Sequence, residues 1–452
     1  MKIKAHLWLG STALMMSLCA PAYAQDAAQT AQDAATTEEE PGITVIGSRG
    51  KARTDVDRPV PVDVVNTEEL AATGQTDLGQ QVQFTSPSFN STKQAVNGAT
   101  NFADPASLRG LAPDQVLLLI NGHRRHQFSG LNLNITPGLG TVVSDLNSIP
   151  TAAVERIEVL RDGAAAQYGS DAIAGIVNLA LKDDDEGGSI GISTGLNKEG
   201  DGFTIKGSLN HGLKLGANGG FINYTLEYFG TEGTNRSDPF DGVIYPNAPA
   251  NFTGPTAAFP YTTANPRADR GVYPQGPFVV GNFGANQNRT YQAFLNSELP
   301  LAENLTAYLF GGYSRKDIRA FGFFRAPATA SNAVLSIFPD GYVPVLSGRS
   351  IDYSVTGGVK TELAGWDVDL GYVFGTNYLD QFASNTVNAS LGAASPTEFY
   401  IGRTQFSQQV VDLTASKDLG EVGGINALNI AMGVQWRRDN FTVSRGDLAS
   451  YQ

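Results

Sequence analysis

From residue 188 onward apolar and polar side chains alternate almost one for one. Ile190, Ile192 and Leu196 alternate with Ser189, Gly191, Ser193 and Asn197. Phe203, Ile205 and Leu209 alternate with Thr204, Lys206, Ser208 and Asn210, and Ile222, Tyr224, Leu226 and Tyr228 with Asn223, Thr225 and Glu227. The same rhythm runs through Ile351–Val359, Trp366–Phe374 and Leu428–Trp436. A period of two is the signature of a strand with one apolar and one polar face. Runs of about ten residues suit tilted strands that cross a membrane. Residues 289–298 and 304–314 keep the rhythm less well. In 405–416, Phe406 and Val411 fall on opposite parities, which predicts a bulge. The pattern gives nine strands, or ten if Phe441–Arg445 forms its own.

The connections alternate too. Lys214–Gly219, Leu299–Asn304, Leu363–Gly365 and Asp418–Ile425 are short, whereas Thr231–Asn288, Lys316–Arg349 and Asn377–Arg403 are long; only Lys198–Gly202 breaks the order. Tight turns at one end and long loops at the other describe an outer-membrane barrel. A soluble β-sandwich also alternates apolar and polar, but does not gather such loops at one end. Tyr228, Tyr313, Trp366 and Trp436 near strand ends suit interfacial girdles.

Residues 58–182 follow a different pattern, that of a compact α/β domain. Asn66 and Glu69 form a helix-start pair ahead of Glu68–Val82, a helix or helix pair broken near Gly74. Val116–Ile120 is a wholly apolar run before the Asn121-Gly122 turn. In Ile149–Lys182, Gly163, Gly169 and Gly175 recur every six residues, as tight turns and close packing require. Ile157 and Val159 flank Glu158, which predicts a strand with one charged face. Two blocks here, SLRGLAPDQVLLLINGHRRH and IPTAAVERIEVLRDGAAAQYGSDAIAGIVNLALK, resemble the signature blocks of the plug domain of TonB-dependent outer-membrane receptors. The resemblance covers about residues 42–182 and rests on Arg109, Gly110, Glu155, Arg156, Glu158, Arg161, Gly163, Tyr168, Gly169 and Gly175.

The remaining segments take their place around this resemblance. Residues 1–24 read as a secretory signal, with Lys2 and Lys4, the apolar Leu7–Ala20 and the cleavage site Ala22-Tyr23-Ala24. The single cysteine, Cys19, lies inside it, with neighbours that do not suit lipidation. Residues 25–57 are a leader of Ala, Gln, Thr and Glu that ends in a β-prone stretch. That stretch, Ile43-Thr44-Val45-Ile46-Gly47, resembles the TonB box, which adds as a strand to a partner's sheet. Residues 58–182 are then the plug, 183–188 an acidic linker and 189–452 the N-terminal part of a barrel. The fold class expected is a transmembrane β-barrel, with about nine or ten antiparallel strands of an expected 22, and an N-terminal α/β plug domain. A compact plug of about 130 residues has a radius near 14 Å, which eight to ten strands cannot enclose. The chain is therefore expected to be a truncated receptor that lacks the C-terminal strands.

Net charge is −13, which argues against nucleic acid. No catalytic, metal or phosphate-binding constellation is legible: Ser107 and Ser170 lack His and Asp companions, and Gly163–Gly169 is no phosphate loop. No cofactor is expected. His123, Arg124, Arg125 and His126 are candidate ligand contacts if their turn faces outward; the alternative is a solvated hairpin in the polar lumen. Arg109, Glu155, Arg156, Glu158, Arg161 and Asp162 are expected to meet the barrel wall through water and salt links. The resemblance implies an importer in the Gram-negative outer membrane, with a periplasmic N-terminus. Its partners would be TonB, outer-membrane lipid and a scarce small ligand, a ferric siderophore first. An oligosaccharide or cobalamin receptor, a binding barrel without transport and a secreted soluble β-protein are the alternatives. The aromatic segment Thr231–Asn288 suits sugars and aromatic chelators alike.

Overall fold

The computed structural model describes residues 62–93, 101–132, 138–161, 168–237, 284–325, 332–338, 341–422 and 428–452. The signal, the leader with Ile43–Gly47, Asp162, Gly163 and most of the Thr231–Asn288 connection lie outside them. No helix among the described residues is long and apolar enough to cross a membrane; β-strands form the extended part of the molecule.

The first body is the α/β domain. β1 (Val62–Asn66) leads into α1 (Thr67–Ala72), which Asn66 caps: its side chain accepts from the Glu69 amide while Glu69 returns to the Asn66 amide. α2 (Leu78–Thr85) starts on Asp77, so the pair breaks around Gly74 as the sequence predicts. β2 (Phe89–Ser91) pairs with β3 (Ala106–Leu108). β4 (Val116–Ile120), β5 (His123–Arg124), β6 (Val154–Leu160) and β7 (Gly175–Leu181) join β1 in a five-stranded sheet of order β1-β6-β7-β4-β5. Asn121 and Gly122, both at positive φ, make the tight β4–β5 turn. β6 has the two faces that the alternation predicts, Ile157 and Val159 in the apolar core and Glu158 beside Arg156 and Asn178 on the other side, but the charged face is covered too: all three of Ile157, Glu158 and Val159 are fully buried. Glu158 tolerates this by accepting from Arg156 Nε (3.0 Å) and Asn178 Nδ2 (2.9 Å). At Gly175 a Cβ would lie 2.2 Å from the Leu160 carbonyl, so only glycine lets β7 start so close to β6.

The second body is one antiparallel meander of nine strands: β8 (Gly188–Gly195), β9 (Thr204–Leu215), β10 (Gly220–Thr231), β11 (Gln287–Ala302), β12 (Leu305–Phe321), β13 (Val345–Leu363), β14 (Trp366–Ser384), β15 (Glu398–Asp418) and β16 (Asn429–Arg445). Each pairs with its sequence neighbours. Phe441–Arg445 is not a tenth strand but the end of β16, held against Gly402–Phe406. Short turns and long connections fall at opposite ends, and Lys198–Gly202 is a compact member of the long-connection end. Six strands are 16 to 21 residues long, beyond the ten or so that a membrane needs. Pairing continues past the apolar band into stretches that read as loop, such as Lys316–Phe321 with Val345–Ser350. The outward Arg315, Asp317 and Arg349, joined by 2.8 Å ion pairs, mark where the apolar band stops.

This sheet is inverted relative to a water-soluble one. Its buried face carries Asn210, Asn223, Thr225, Glu227, Gln292, Asn296, Ser350, Asp352, Ser354 and Asn377. Its open face carries Leu226, Leu309, Tyr313, Tyr353, Val355, Leu370, Tyr372 and Leu413, each at least 39% exposed. A sandwich in water would bury the second set and expose the first. An outward apolar face with an inward polar face is what lipid outside and a hydrated lumen demand.

The three irregular segments have a common cause. Phe294, Tyr308 and Phe310 turn inward and close the plug's own apolar core, so 289–298 and 304–314 carry apolar residues on both faces. In 405–416 there is no bulge: Phe406, Gln408 and Val410 share the buried face and Val411 the outer one. The register shift of β15 lies at Ile401, opposite Gln381 and Phe382.

Leu226, central on the outer face of β10, tests the inversion. Leu226→Arg is expected to cost assembly in lipid about 2–4 kcal/mol, measured by urea titration in vesicles, and to leave aqueous solubility no worse. An unchanged midpoint would contradict a lipid-facing Leu226.

Candidate functional site

The α/β domain sits against the polar face of the sheet, and the contacts between them form the first site. At its centre is Asp352 of β13, whose side chain is 7% exposed. Arg125, just past β5, donates one Nη to Asp352 and the other to Ser354, with Ser148 on the plug side as a third partner. His126 Nε2 lies 2.9 Å from the second Asp352 oxygen. Asn377 of β14 donates to Asp352 (3.3 Å) and Ser350 (3.0 Å), and its carbonyl oxygen accepts from the amide and hydroxyl of Ser129. One wall carboxylate thus takes a guanidinium, an imidazole and an amide. Burial holds the His126 imidazole below its ordinary pKa, against the pull of Asp352.

Glycines on the wall receive these side chains. A Cβ at Gly375 would meet His126 Nδ1 at 2.1 Å, one at Gly371 would meet His123 Cε1 at 2.9 Å, and one at Gly348 would meet the Phe102 ring at 2.3 Å. The missing side chains on β13 and β14 are sockets for a histidine pair and a phenylalanine from the plug. His123 packs against Tyr308 and Phe310, with ring centroids 5.2 and 5.8 Å away, and faces Asp369 at 3.6 Å. Around this run more polar links: Lys316 to Asp145 (2.8 Å) and the Phe102 carbonyl (2.9 Å), Glu227 to Thr151 (3.1 Å) and the Ala152 amide (3.2 Å), and Asn121 to Asn296 (3.1 Å). Phe102, Phe128 and Val143 of the plug meet Ile318 and Leu379 of the wall in a small apolar cluster.

The sequence-derived candidates divide accordingly. His123, Arg124, Arg125 and His126 form neither a solvated hairpin nor an outward ligand contact: all four are buried. The cause is that β5 is the sheet edge pressed onto the wall, and Arg124 is bound to Asp171 within the plug. Of the plug charges expected at the wall, Arg161 pairs with Asp63 (2.7 Å), exposed Arg109 donates to the Arg161 carbonyl (2.8 Å), and Glu158 is held by Arg156 and Asn178. These bonds close inside the plug. Glu155 is exposed, Tyr168 packs on a small apolar cluster, Gly110 and Gly169 are positive-φ turn residues, and Arg156 borders an inner cavity of about 180 Å³ with Lys360 and Glu298. Besides Arg125 and His126, docking uses residues the sequence did not single out as wall contacts: Asp145, Thr151, Asn121 and Ser129. Nothing local marks them, since their partners lie 70 to 250 residues away on the wall.

A second, larger cavity of about 510 Å³ lies between plug and wall, lined by Asp77, Lys93, Phe102, Asp104, Asn147, Glu227, Phe229, Asn288, Gln292 and Lys316 among others. Phe229, Asn288 and Lys316 belong to the strand ends that run into the long connections. Burial, with Asp77 nearby, pushes the Asp104 carboxyl up to about 7. Among the described residues no group of three or more His, Cys, Asp or Glu is placed to hold a metal ion.

Two outcomes follow from these environments. Asp352→Ala strands Arg125 and His126 in a buried site and is expected to cost about 3–5 kcal/mol, read as a lowered unfolding midpoint; a midpoint within experimental error of wild type would contradict the hub. Asp104 holds its proton in the folded state well above the unfolded value of 3.8, so its contribution is favourable at low pH and lost as pH rises from about 4 through 7. Asp104→Asn is therefore expected to melt higher than wild type near pH 8, with the gap closing towards about pH 4. A gap that widens on acidification would contradict this environment.

Comparison with known proteins agrees with this architecture. Residues 54–176 match the family described as the TonB-dependent Receptor Plug Domain. The ferric enterobactin receptor PirA of Pseudomonas aeruginosa is 29% identical over 133 residues, 29% of this chain and 18% of that protein. The vitamin B12 transporter BtuB of Vibrio vulnificus is 32% identical over 154 residues, 33% of this chain and 22% of that protein. Among solved structures, the siderophore receptor PirA from Acinetobacter baumannii superposes with a TM-score of 0.53 at 17% identity, covering 84% of this chain and 48% of that one. A mutant ferric enterobactin receptor, PfeA of Pseudomonas aeruginosa, superposes with a TM-score of 0.54 at 17% identity, covering 85% and 49%. The chain spans about half the length of these solved receptors, and its matched relatives are receptors and a transporter, not enzymes. Residues 54–176 thus form a plug domain of the TonB-dependent receptor type, seated on the polar face of a barrel-type sheet.

Proposed function

We propose that this chain serves TonB-dependent import of a scarce ligand across the Gram-negative outer membrane, with the plug inside the barrel and the N-terminus in the periplasm. The observation that carries this is the inverted sheet with a polar-docked plug on its buried face. An iron chelate of the ferric-siderophore kind is the first candidate ligand, in keeping with the siderophore receptors among its relatives. The match to a vitamin B12 transporter keeps cobalamin as a second.

In this proposal Ile43–Gly47 pairs with TonB as an added strand. Force applied there reaches β1 first. β1 is the edge of the plug sheet and has β6 as its one strand neighbour, with Val62 opposite Leu160 and Asn66 opposite Arg156. Pulling from its N-terminal end opens one pair at a time, whereas the Asp352 hub resists as a unit. The strand peels before the plug leaves the wall, and the polar groups bared on both sides are ones water can take over.

Val45→Pro removes an amide needed for strand addition and is expected to abolish energised uptake in cells while ligand binding persists. Uptake at the wild-type rate would contradict the assignment of Ile43–Gly47.

A further inference from the structure

At one height on the outer face of the sheet, charge runs from strand to strand. Cross-strand register sets Arg289 of β11 opposite Asp317 of β12, and Asp317 opposite Arg349 of β13. It continues with Arg349 opposite Asp380 of β14, and Asp380 opposite Arg403 of β15. The next outward positions towards the short turns are Tyr291, Arg315, Ile351 and Tyr378. Tyr228 of β10 lies beside Tyr291, with ring centroids 5.1 Å apart. Below these come the exposed Tyr313 and Tyr353 of the apolar band. The charged row therefore borders the aromatic edge of that band, the height at which bilayer headgroups lie. The connections β10–β11, β12–β13 and β14–β15 leave from this end, which faces the outer leaflet in the orientation proposed above.

The row is not balanced in charge. Arg403 is answered in full, since its Nε and Nη2 donate to Asp380 at 2.8 and 2.7 Å. Arg315 and Arg349 instead share one carboxylate. Each donates through Nε to Asp317 at 2.8 Å, a bond that does not use the forked Nη pair of either guanidinium. Arg289 stands 3.9 Å from Glu232, beyond hydrogen-bond length. Arg319, the next outward position past Asp317, is exposed and lies over the Phe321 ring at 5.3 Å. With the Arg403 pair set aside, Arg289, Arg315, Arg319 and Arg349 meet only Asp317 and Glu232 among the described residues of this patch.

We propose that this patch binds the phosphate groups of an outer-leaflet glycolipid. Forked guanidinium donors match phosphate oxygens in pairs, and basic clusters at the bilayer surface hold anionic headgroups. A lipid held there would lay its acyl chains on the apolar face below, along Tyr313, Tyr353 and Val355. A soluble anion would gain the first contact and not the second. The patch is on the far side of the wall from the plug, so it seats the barrel in its leaflet and leaves the carried ligand undetermined. It rests on the outward direction of the long connections in the function proposed above.

The test is equilibrium binding to the purified full chain, in detergent, of four probes. They are a diphosphorylated acyl-disaccharide lipid, the same lipid without its phosphates, phosphatidylglycerol and inorganic phosphate. The diphosphorylated lipid is expected to bind about tenfold or more tighter than its dephosphorylated form, as one charge-assisted hydrogen bond would give. Arg315→Gln combined with Arg349→Gln is expected to remove most of that preference. Asp317→Asn removes the shared carboxylate and is expected to tighten the diphosphorylated lipid about threefold, which a merely destabilised barrel would not do. Lys214→Gln, at the short-turn end, is the control and should bind as wild type. Four results would each overturn the proposal: equal affinity for the two forms of the disaccharide lipid, phosphatidylglycerol binding as tightly as the diphosphorylated form, a double variant that keeps the preference, or weaker binding by Asp317→Asn. Displacement of the lipid by inorganic phosphate at equal concentration would mark a free-anion site and overturn it too. Failure of the importer is read separately, because Val45→Pro is scored by uptake and these affinities need no energised transport.

Discussion

The structure depends on one constraint: every backbone and side-chain polar group of the sheet must find its partner on the inner face or within the ladder, because the outer face belongs to lipid. That explains the antiparallel meander, in which neighbours satisfy one another along strands of up to 21 residues. It also explains why the inner face is crowded with Asn, Ser, Thr and Asp, a composition that would ruin an ordinary core. Such a face cannot rest against an apolar body. It requires a plug whose own surface is polar, and the α/β domain supplies one.

The docking answers the constraint economically. Asp352 alone engages Arg125, His126 and Asn377, and Gly348, Gly371 and Gly375 give the plug side chains room to reach the wall backbone. Buried ion pairs of this kind add little net stability over apolar packing, but losing one partner is costly. They therefore fix where the plug sits more than how tightly it is held. The apolar contribution is small and local: Phe294, Tyr308 and Phe310 on one side, Ile318 and Leu379 on the other. An interface that is mostly hydrogen-bonded can exchange its partners for water when a force is applied, which an apolar interface cannot do at comparable cost.

Much of this was legible in the sequence because it is local. Alternation at Ile222–Tyr228 or Trp366–Phe374 names both the strand and its outward face. Asn66 with Glu69 names a helix start, and Val116–Ile120 a buried strand. What was not legible is what the two bodies do to each other. Tyr308 and Phe310 look like noise in an alternating strand until the plug is placed against them. Phe406 suggests a bulge because nothing nearby says that an aromatic can face inward. Glu158 reads as a surface charge until Asn178 and Arg156 close over it. Arg125 and His126 read as a solvated turn, since the carboxylate that buries them is Asp352, more than two hundred residues away. Periodicity reports which faces differ; it does not report which residues a second body will cover.

The inversion of the sheet is the central claim, and accessibility along one strand tests it most directly. Cys19 is the only cysteine, so single cysteines placed at successive positions 222 to 228 of β10 can carry a spin label in a background lacking it. Collisions with oxygen, which partitions into lipid, should be high at 222, 224, 226 and 228 and low at 223, 225 and 227, with the water-soluble nickel chelate low at the even positions. Even positions that respond to the nickel chelate, or a profile without a period of two, would contradict the account.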